Sequence, residues 1–210
     1  MKKILVFGAT GGTGREVVQQ ALERGYEVTA VARNPSAFSI RHPFLYVVYG
    51  DVLDPSTLEL AGMDAVISCL GTNGSLKPTT LYSEGVSHIM SAMERAGVRR
   101  LVCISAGALY TNKEMGLFIR FVAGAVLQRI LRRLYKDMRI MEKMVERSNL
   151  DWTIVRPPRL TDRRLTRRYR IGVNRHLKRP FRIGRADLAH YMLDSIDAPE
   201  TAGAKVEVAY

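Results

Sequence analysis

Glycine is concentrated in a short segment near the start of the chain. Four of the seven residues at positions 8–14 are glycine, and they follow the apolar run 4–7 and precede a helix-like pattern. Gly8 permits a tight turn after a strand, Gly11 lets the backbone approach a ligand, and Gly14 allows close packing of helix on strand. The first helical amides then face an anion, so we predict a site for a dinucleotide pyrophosphate. The residues expected to contact it are Gly8, Thr10, Gly11, Gly12, Thr13 and Gly14.

Arg33 lies nineteen residues after Gly14, at the end of the second predicted strand. Sites for NAD place an acid here, which accepts hydrogen bonds from the ribose hydroxyls. The segment 31–34 reads Val-Ala-Arg-Asn and contains no acid. A planar guanidinium forms paired, charge-assisted hydrogen bonds to phosphate. We therefore predict NADP(H) in preference to NAD(H), with an arginine solvated in a loop as the alternative.

Two further strand ends carry residues suited to the same ligand. Asp51 could accept from the adenine amino group, with the Val52 backbone beside it, or it could cap a turn near Pro55. The segment Leu70-Gly71-Thr72 ends the fourth predicted strand, and its small residue would let the backbone approach the ribose on the nicotinamide side. Ligands of open α/β sheets bind at the carboxyl ends of the strands, where all these residues lie.

Ser105 ends the fifth predicted strand, where its hydroxyl could reach the nicotinamide or a substrate carbonyl. Short-chain dehydrogenases that oxidise alcohols relay a proton through a Tyr placed four residues before a Lys, which lowers the pKa of the Tyr. Here Tyr110 is followed by Glu114 and Tyr135 by Arg139, which leaves only Arg139 open as a replacement. The missing pair favours acceptors that take a bare hydride, such as flavins, because solvent can then supply the proton.

The elements that must position these residues alternate between strand-like and helix-like patterns. The predicted strands are Lys3–Phe7, Glu27–Ala32, Leu45–Tyr49, Ala65–Cys69, Arg100–Ile104 and Trp152–Val155, and a final strand, Lys205–Ala209, could close the sheet edge. Several of these are continuous apolar runs, as in strands that are covered on both faces. We predict an α/β protein with a Rossmann-type, doubly wound, mostly parallel sheet and helices on both faces. Residues 1–210 are expected to form one domain.

The composition agrees with a globular protein. The chain has 210 residues, of which 47% are apolar, and no apolar run reaches the ~18 residues of a membrane span. Cys69 and Cys103 lie in apolar runs and are expected to be buried thiols, which indicates a cytoplasmic location. The four histidines show no ligand spacing, so we expect no metal.

The net charge of +12 is unevenly distributed. Residues 156–185 contain twelve Arg or Lys and a single acid, Asp162. Three interpretations remain open: a cover that attracts an anionic substrate, a surface for nucleic acid or acidic membrane, and a solvated face. The first is favoured, and nucleic acid is disfavoured because only Tyr169 and Phe181 could stack on bases.

Two other segments have structural interpretations. The apolar and then basic stretch Leu117–Leu134 is expected to form a cap helix or a subunit interface, with a membrane-surface helix as the alternative. Asp187 is expected in the first turn of a helix that begins at Arg185, where it would cap free amides and complement the helix dipole.

These residues resemble atypical short-chain dehydrogenase/reductase proteins of the NAD(P)H-binding, flavin-reductase type, the biliverdin-IXβ reductase-like family. The resemblance covers nearly the whole chain. The motifs that carry it are Phe7–Gly14, Gly25–Thr29 with Arg33, Gly50–Val52, Leu70–Thr72, Pro78–Thr80, Ser83–Gly85, Ser105 and Pro157–Pro158.

The resemblance implies an NADPH-dependent reductase with Ser105 beside the nicotinamide, Pro157 at the cofactor and Pro158 at the substrate. The family has a His after the double proline, and this chain has Arg159. Arginine stays protonated, so Arg159 could bind an anionic substrate but not act as an acid or base near pH 7. A planar anionic acceptor such as FMN is therefore expected. The alternative is a sensor that binds NADP(H) without catalysis, and both monomer and homodimer remain open.

Overall fold

The computed structural model describes residues 1–72, 79–107 and 128–210, without the side chains of 128–133. Its centre is an eight-stranded sheet, and a separate pair of short strands lies beside it. The strands are β1 Lys3–Phe7, β2 Glu27–Ala32, β3 Leu45–Tyr49, β4 Ala65–Ser68, β5 Arg100–Ile104, β6 Asp151–Arg156, β7 Arg159–Thr161, β8 Arg170–Val173, β9 Arg182–Gly184 and β10 Ala204–Ala209. The helices are α1 Gly12–Glu23, α2 Ser83–Ala96, α3 Gln128–Glu146 and α4 Arg185–Ile196.

The strand order in the main sheet is β3-β2-β1-β4-β5-β6-β10-β8. All neighbouring pairs are parallel except β10 and β8, which run antiparallel. The order reverses at β1, where the chain leaves β3 on one side and enters β4 on the other. This arrangement confirms the predicted Rossmann-type sheet and makes the carboxyl ends of β1 and β4 its switch point.

Helices cover both faces of the sheet. Helices α1 and α4 pack together on one face, and α2 and α3 pack together on the other. Successive residues of β1 point into these two cores: Ile4 and Val6 into the first, Leu5 and Phe7 into the second. A strand buried on both faces needs apolar residues at every position, which is why these strands read as continuous apolar runs.

The predicted strands match the observed ones to within one residue at each end. One expectation was wrong: the last strand, β10, does not close the sheet, because β8 pairs outside it. Strands β7, β8 and β9 were not predicted. Each has only three or four residues and begins with an arginine, so none shows the apolar pattern of a buried strand.

Cys69 and Cys103 are buried free thiols, as predicted. Burial raises the pKa of the Cys69 thiol to about 12. Burial, followed by the nearby Glu142 carboxylate, also raises the pKa of Cys103. Both thiols are therefore neutral near pH 7. Within the described residues, no helix is long and apolar enough to cross a membrane.

Candidate dinucleotide site

A cleft of about 370 Å³ opens at the carboxyl ends of β1, β2 and β4. It coincides with the switch point of the sheet, where ligands of such folds bind. The residues that line it are Phe7, Gly8, Thr10, Gly11, Gly12, Thr13, Val31, Ala32, Arg33, Gly50, Asp51, Val52, Leu53, Cys69, Leu70, Gly71, Thr72, Leu81, Ile104, Leu160 and Arg185. Most of the predicted dinucleotide contacts are therefore gathered in one place.

The glycine turn forms the floor of the cleft. Gly8 has a φ of +70°, and a Cβ there would lie 2.4 Å from the Cys69 carbonyl oxygen. A Cβ on Gly14 would lie 2.2 Å from the Gly8 carbonyl oxygen, because α1 packs directly on the end of β1. Only glycine fits at either position. Gly14 therefore acts beneath the cleft through packing and does not line it.

The N-terminus of α1 faces the cleft. Helix α1 begins at Gly12, its N-cap residue Gly11 makes no side-chain capping bond, and its first turn contains no acid. Its first amides are thus not capped by a side chain. The cradle fits a phosphate group, because the helix dipole and these amides both favour an anion.

Arg33 follows β2 directly and lines the same cleft. Its side chain is exposed and makes no hydrogen bond or ion pair with the described part of the chain. A cation that has no internal partner is available to bind an anionic ligand.

Asp51 lines the cleft beyond the end of β3. Its Oδ1 accepts from the Leu53 amide at 3.0 Å, so it stabilises a local turn. The residue that caps the short helical turn Pro55–Thr57 is Asp54, whose Oδ1 accepts from the Ser56 amide at 3.1 Å. The predicted capping role near Pro55 therefore belongs to Asp54.

The segment after β4 forms the other wall. Leu70, Gly71 and Thr72 all line the cleft, and a Cβ on Gly71 would have no atom within 4 Å. The backbone at Gly71 is therefore open to a ligand. Tyr82 lies behind this wall, where burial raises the pKa of its phenol and its hydroxyl is hydrogen-bonded to Thr72.

Ser105 follows β5 and is 3% exposed. Its amide donates to the Val155 carbonyl at 2.8 Å, but its Oγ has no hydrogen-bond partner among the described residues. Its neighbour Ile104 lines the cleft, whereas Ser105 itself does not. The structure thus places an unsatisfied hydroxyl one residue behind the wall of the cleft.

The double proline lies outside the cleft lining. Pro157 is buried, and its carbonyl accepts from the Gly107 amide at 2.8 Å. Pro158 is half-buried, and Arg159 begins β7 with an exposed side chain. Leu160 is the residue of this segment that reaches the cleft. The roles expected for Pro157, Pro158 and Arg159 stay predictions.

Arg185 lines the cleft although the sequence did not indicate it. It is the first residue of α4, and its side chain crosses the first turn of α1. A Cβ on Gly12 would lie 2.8 Å from Arg185 Cδ and 2.9 Å from its Nε. The guanidinium donates to Asp162 Oδ1 at 2.5 Å. Gly12 thus makes room for an arginine above the predicted pyrophosphate position.

Asp187 lies in the first turn of α4 as predicted, but its role differs from the prediction. It is fully buried and accepts from the Thr166 and Arg167 amides at 2.9 and 2.7 Å. It also accepts from the Thr166 and Tyr210 hydroxyls at 2.8 and 2.6 Å. Burial opposes ionisation, but these hydrogen bonds outweigh it and lower the pKa of Asp187. The carboxylate therefore anchors the basic segment to α4 and does not cap the helix.

A tyrosine–lysine relay is not found at the described part of the cleft, whose lining contains no Tyr, Lys or His. Tyr135 is buried in the core between α2 and α3, where burial raises the pKa of its phenol. Arg139 is exposed on α3. Tyr110, and nearly all of the stretch Leu117–Leu134, lie outside the residues whose side chains the structure describes.

The basic segment 156–185 contributes little to the cleft. Among its residues only Leu160 and Arg185 line it. Arg156 is buried elsewhere, where its Nε and Nη2 donate to the two carboxylate oxygens of Glu142 at 2.9 and 2.6 Å. Of the cations in the predicted electropositive cover, Arg185 alone lines the described cleft.

Comparison with known proteins agrees with this geometry. A family model described as NAD(P)H-binding matches residues 8–199. The chain belongs to this NAD(P)H-binding family. The match begins at the first glycine of the turn and includes every residue that lines the cleft except Phe7.

Named relatives of the chain include a reductase. This chain is 33% identical over 156 residues to (4-alkanoyl-5-oxo-2,5-dihydrofuran-3-yl)methyl phosphate reductase from Streptomyces griseus. The match covers 73% of this chain and 46% of that protein. The chain spans about half the length, or less, of most curated relatives it matches.

Solved structures share the fold over the whole chain. The oxidoreductase ylbE from Lactococcus lactis is 25% identical with a TM-score of 0.80, covering 99% of this chain and 90% of that one. SP1627 from Streptococcus pneumoniae, named as a candidate NADH-flavin reductase, is 21% identical with a TM-score of 0.78 and coverage of 100% and 99%. The second likeness shows the fold alone.

Proposed function

We propose that this protein is an NADPH-dependent reductase that transfers a hydride to a flavin or a similar planar, conjugated acceptor. The observation that carries the proposal is Arg33, a cation without an internal partner in the described structure, at the strand end that borders the dinucleotide cleft. An acid at this position would repel a 2′-phosphate, whereas a guanidinium binds it with paired hydrogen bonds.

The residues that line the cleft support binding of the cofactor phosphates, the adenine and the ribose on the nicotinamide side. The amides at the start of α1 and the Arg185 guanidinium would hold the pyrophosphate. Arg33 would hold the 2′-phosphate and Asp51 the adenine amino group, while the open backbone at Gly71 would admit the ribose on the nicotinamide side. When bound, NADPH supplies a hydride from its nicotinamide ring.

The side chains near the reacting end favour an acceptor that needs no proton relay. Ser105 is the nearest predicted catalytic group, and its unsatisfied Oγ could donate to the cofactor amide or to an acceptor carbonyl. No described residue of the cleft could exchange a proton near pH 7 as a histidine would. Water would then protonate the reduced acceptor, as reduced flavins allow.

One relative supports a reductase with an anionic substrate, and the name of a structural neighbour suggests a flavin acceptor. The Streptomyces protein reduces a substrate that carries a phosphate, and the Streptococcus protein is named for flavin. Arg159 is exposed next to the double proline and could bind such a phosphate. The neutral buried thiols of Cys69 and Cys103 suit a reducing compartment, and we propose the cytoplasm.

The test is NADPH oxidation by purified protein with FMN, riboflavin and simple quinones as acceptors. Riboflavin is the matched control for FMN, because it has the same ring without the phosphate. We expect turnover with flavins, faster with FMN than with riboflavin, and a loss of this difference in Arg159→Ala. No oxidation with any acceptor would contradict the reductase proposal.

The second candidate is a sensor that binds NADP(H) without catalysis. The observation in its favour is that the described lining of the cleft contains no Tyr, Lys or His that could donate a proton to a substrate. Tight NADPH binding, measured by cofactor fluorescence, together with no turnover would favour the sensor. Steady FMN reduction would exclude it.

A further inference from the structure

Residues 170–182 run from β8, on the free edge of the main sheet, through a loop to the first residue of β9, and we call this segment the basic hairpin. Its strand β8 pairs with β10 of the main sheet. The Asn174 amide donates to the Lys205 carbonyl at 2.8 Å, and Asn174 Oδ1 accepts from the Lys205 amide at 2.9 Å. Arg170 then donates across the hairpin to the Lys178 carbonyl at 2.7 Å. The hairpin is therefore a built part of the fold.

The β8 end of the basic hairpin is remote from the dinucleotide cleft. Strand β8 is the fourth strand beyond β4, with β5, β6 and β10 between them. At the usual spacing of strands this is about 19 Å. Exposed charges are largely screened beyond about 10 Å at physiological salt. The cations at and after β8 therefore do not serve the cofactor phosphates, and their presence needs another explanation. Arg182, at the start of β9, is set apart, because it pairs with Arg159 of β7, nearer the cleft.

No described Asp or Glu side chain neutralises the charge of the hairpin, although Arg170 also donates to the main-chain oxygen of Tyr210 at 2.5 Å. Its five exposed cations are Arg170, Arg175, Lys178, Arg179 and Arg182. None of them forms an ion pair among the described residues. Glu207, the acid nearest the turn, instead accepts from the Leu177 amide and contacts His176. The charge is complementary to an external polyanion.

Exposed apolar side chains accompany these cations. Phe181 is 63% exposed and lies between Arg179 and Arg182 in sequence. Ile171 and Val173, on one face of β8, are each 38% exposed. The bases of a nucleic acid could stack on Phe181, but its phosphate backbone offers no apolar surface to bury Ile171 and Val173. A second copy of the hairpin would be repelled by its like charge, whereas an acidic membrane surface satisfies both features.

We propose that the basic hairpin is a docking surface for a bilayer that contains anionic lipid. Its arginines contact headgroup phosphates, and Phe181 enters the boundary between headgroups and acyl chains. Docking at this edge leaves the cleft at β1 and β4 accessible, so this inference stands apart from the proposed reductase activity.

The test is co-sedimentation of the full chain with vesicles of phosphatidylcholine, with and without phosphatidylglycerol. The charge variant is Arg175→Glu with Lys178→Glu, and its matched control is Arg95→Glu with Arg147→Glu, two exposed arginines outside the hairpin. Both pairs lower the net charge by the same amount. Phe181→Ser is matched by Phe44→Ser, which changes an exposed phenylalanine before the opposite edge strand.

We expect binding only to the anionic vesicles, weakened by salt. The hairpin charge variant should lose roughly 25-fold or more in affinity, and its control clearly less. Phe181→Ser should weaken binding several-fold and Phe44→Ser should not. Absence of binding to anionic vesicles, or an equal loss in both charge variants, would overturn the proposal. Preferential binding to duplex DNA would overturn it in favour of nucleic acid.

Discussion

Replacing Asp187 should destabilise the protein strongly, because this buried carboxylate joins three parts of the chain. It accepts four hydrogen bonds, two of them from the amides of Thr166 and Arg167 and one from the hydroxyl of Tyr210. A hydrogen bond to a charged group contributes about 1.5–3 kcal/mol, and water replaces part of what the exposed donors lose. We therefore expect Asp187→Ala to lower the free energy of unfolding by about 4 kcal/mol and Asp187→Asn by about half as much.

The assay is urea unfolding followed by the fluorescence of Trp152, the single tryptophan, which is buried in β6. Glu200→Gln, at an exposed acid, is the control. The pKa of Asp187 is lowered from its ordinary value of 3.8, so its contribution is present above that pH and is lost as the pH falls through the folded-state value. The difference in the free energy of unfolding between wild type and Asp187→Ala should be the same at pH 7 and pH 5, and it should be smaller at pH 3. A loss below about 1 kcal/mol at pH 7 would refute this account of the carboxylate.

Three further predictions follow from packing and charge. Gly14→Ala should abolish folding or cofactor binding, because its Cβ would lie 2.2 Å from the Gly8 carbonyl oxygen; circular dichroism and NADPH fluorescence would show this. Glu142→Ala should lower the free energy of unfolding in urea by about 3–5 kcal/mol, because it leaves Arg156 buried without this carboxylate. Replacing both residues by apolar ones should lower it by less. Arg185→Ala should weaken NADPH and NADH binding by a similar factor in fluorescence titrations, because Arg185 lies over Gly12 at the predicted position of the pyrophosphate, which both cofactors share. An Arg185→Ala effect confined to NADPH would place this residue at the 2′-phosphate instead.

The sheet and the glycine turn could be predicted because local sequence decides them. A strand buried on both faces needs an unbroken apolar run, as in β1, and Gly8 and Gly14 are required by contacts within a few residues of the turn. The same reasoning placed Arg33 at the cleft, because the position depends only on where β2 ends.

The basic segment could not be predicted in this way. Strand β8 forms on the free edge of β10, while β7 and β9 pair with each other, and the residues of all three strands carry little strand signal. Arg185 reaches the cleft, and Asp187 binds Thr166, through contacts between segments that are distant in sequence. Such contacts depend on the tertiary fold, so the pattern around Asp187 indicated only a helix start.

The measurement that tests the central claim most directly is the ratio of NADPH to NADH oxidation with FMN, in wild type and in Arg33→Ala. Arg95→Ala, an exposed arginine on α2, is the control. The account predicts that wild type prefers NADPH and that Arg33→Ala loses roughly tenfold or more in kcat/KM for NADPH with little change for NADH. An unchanged ratio in Arg33→Ala, or a wild type that prefers NADH, would contradict it.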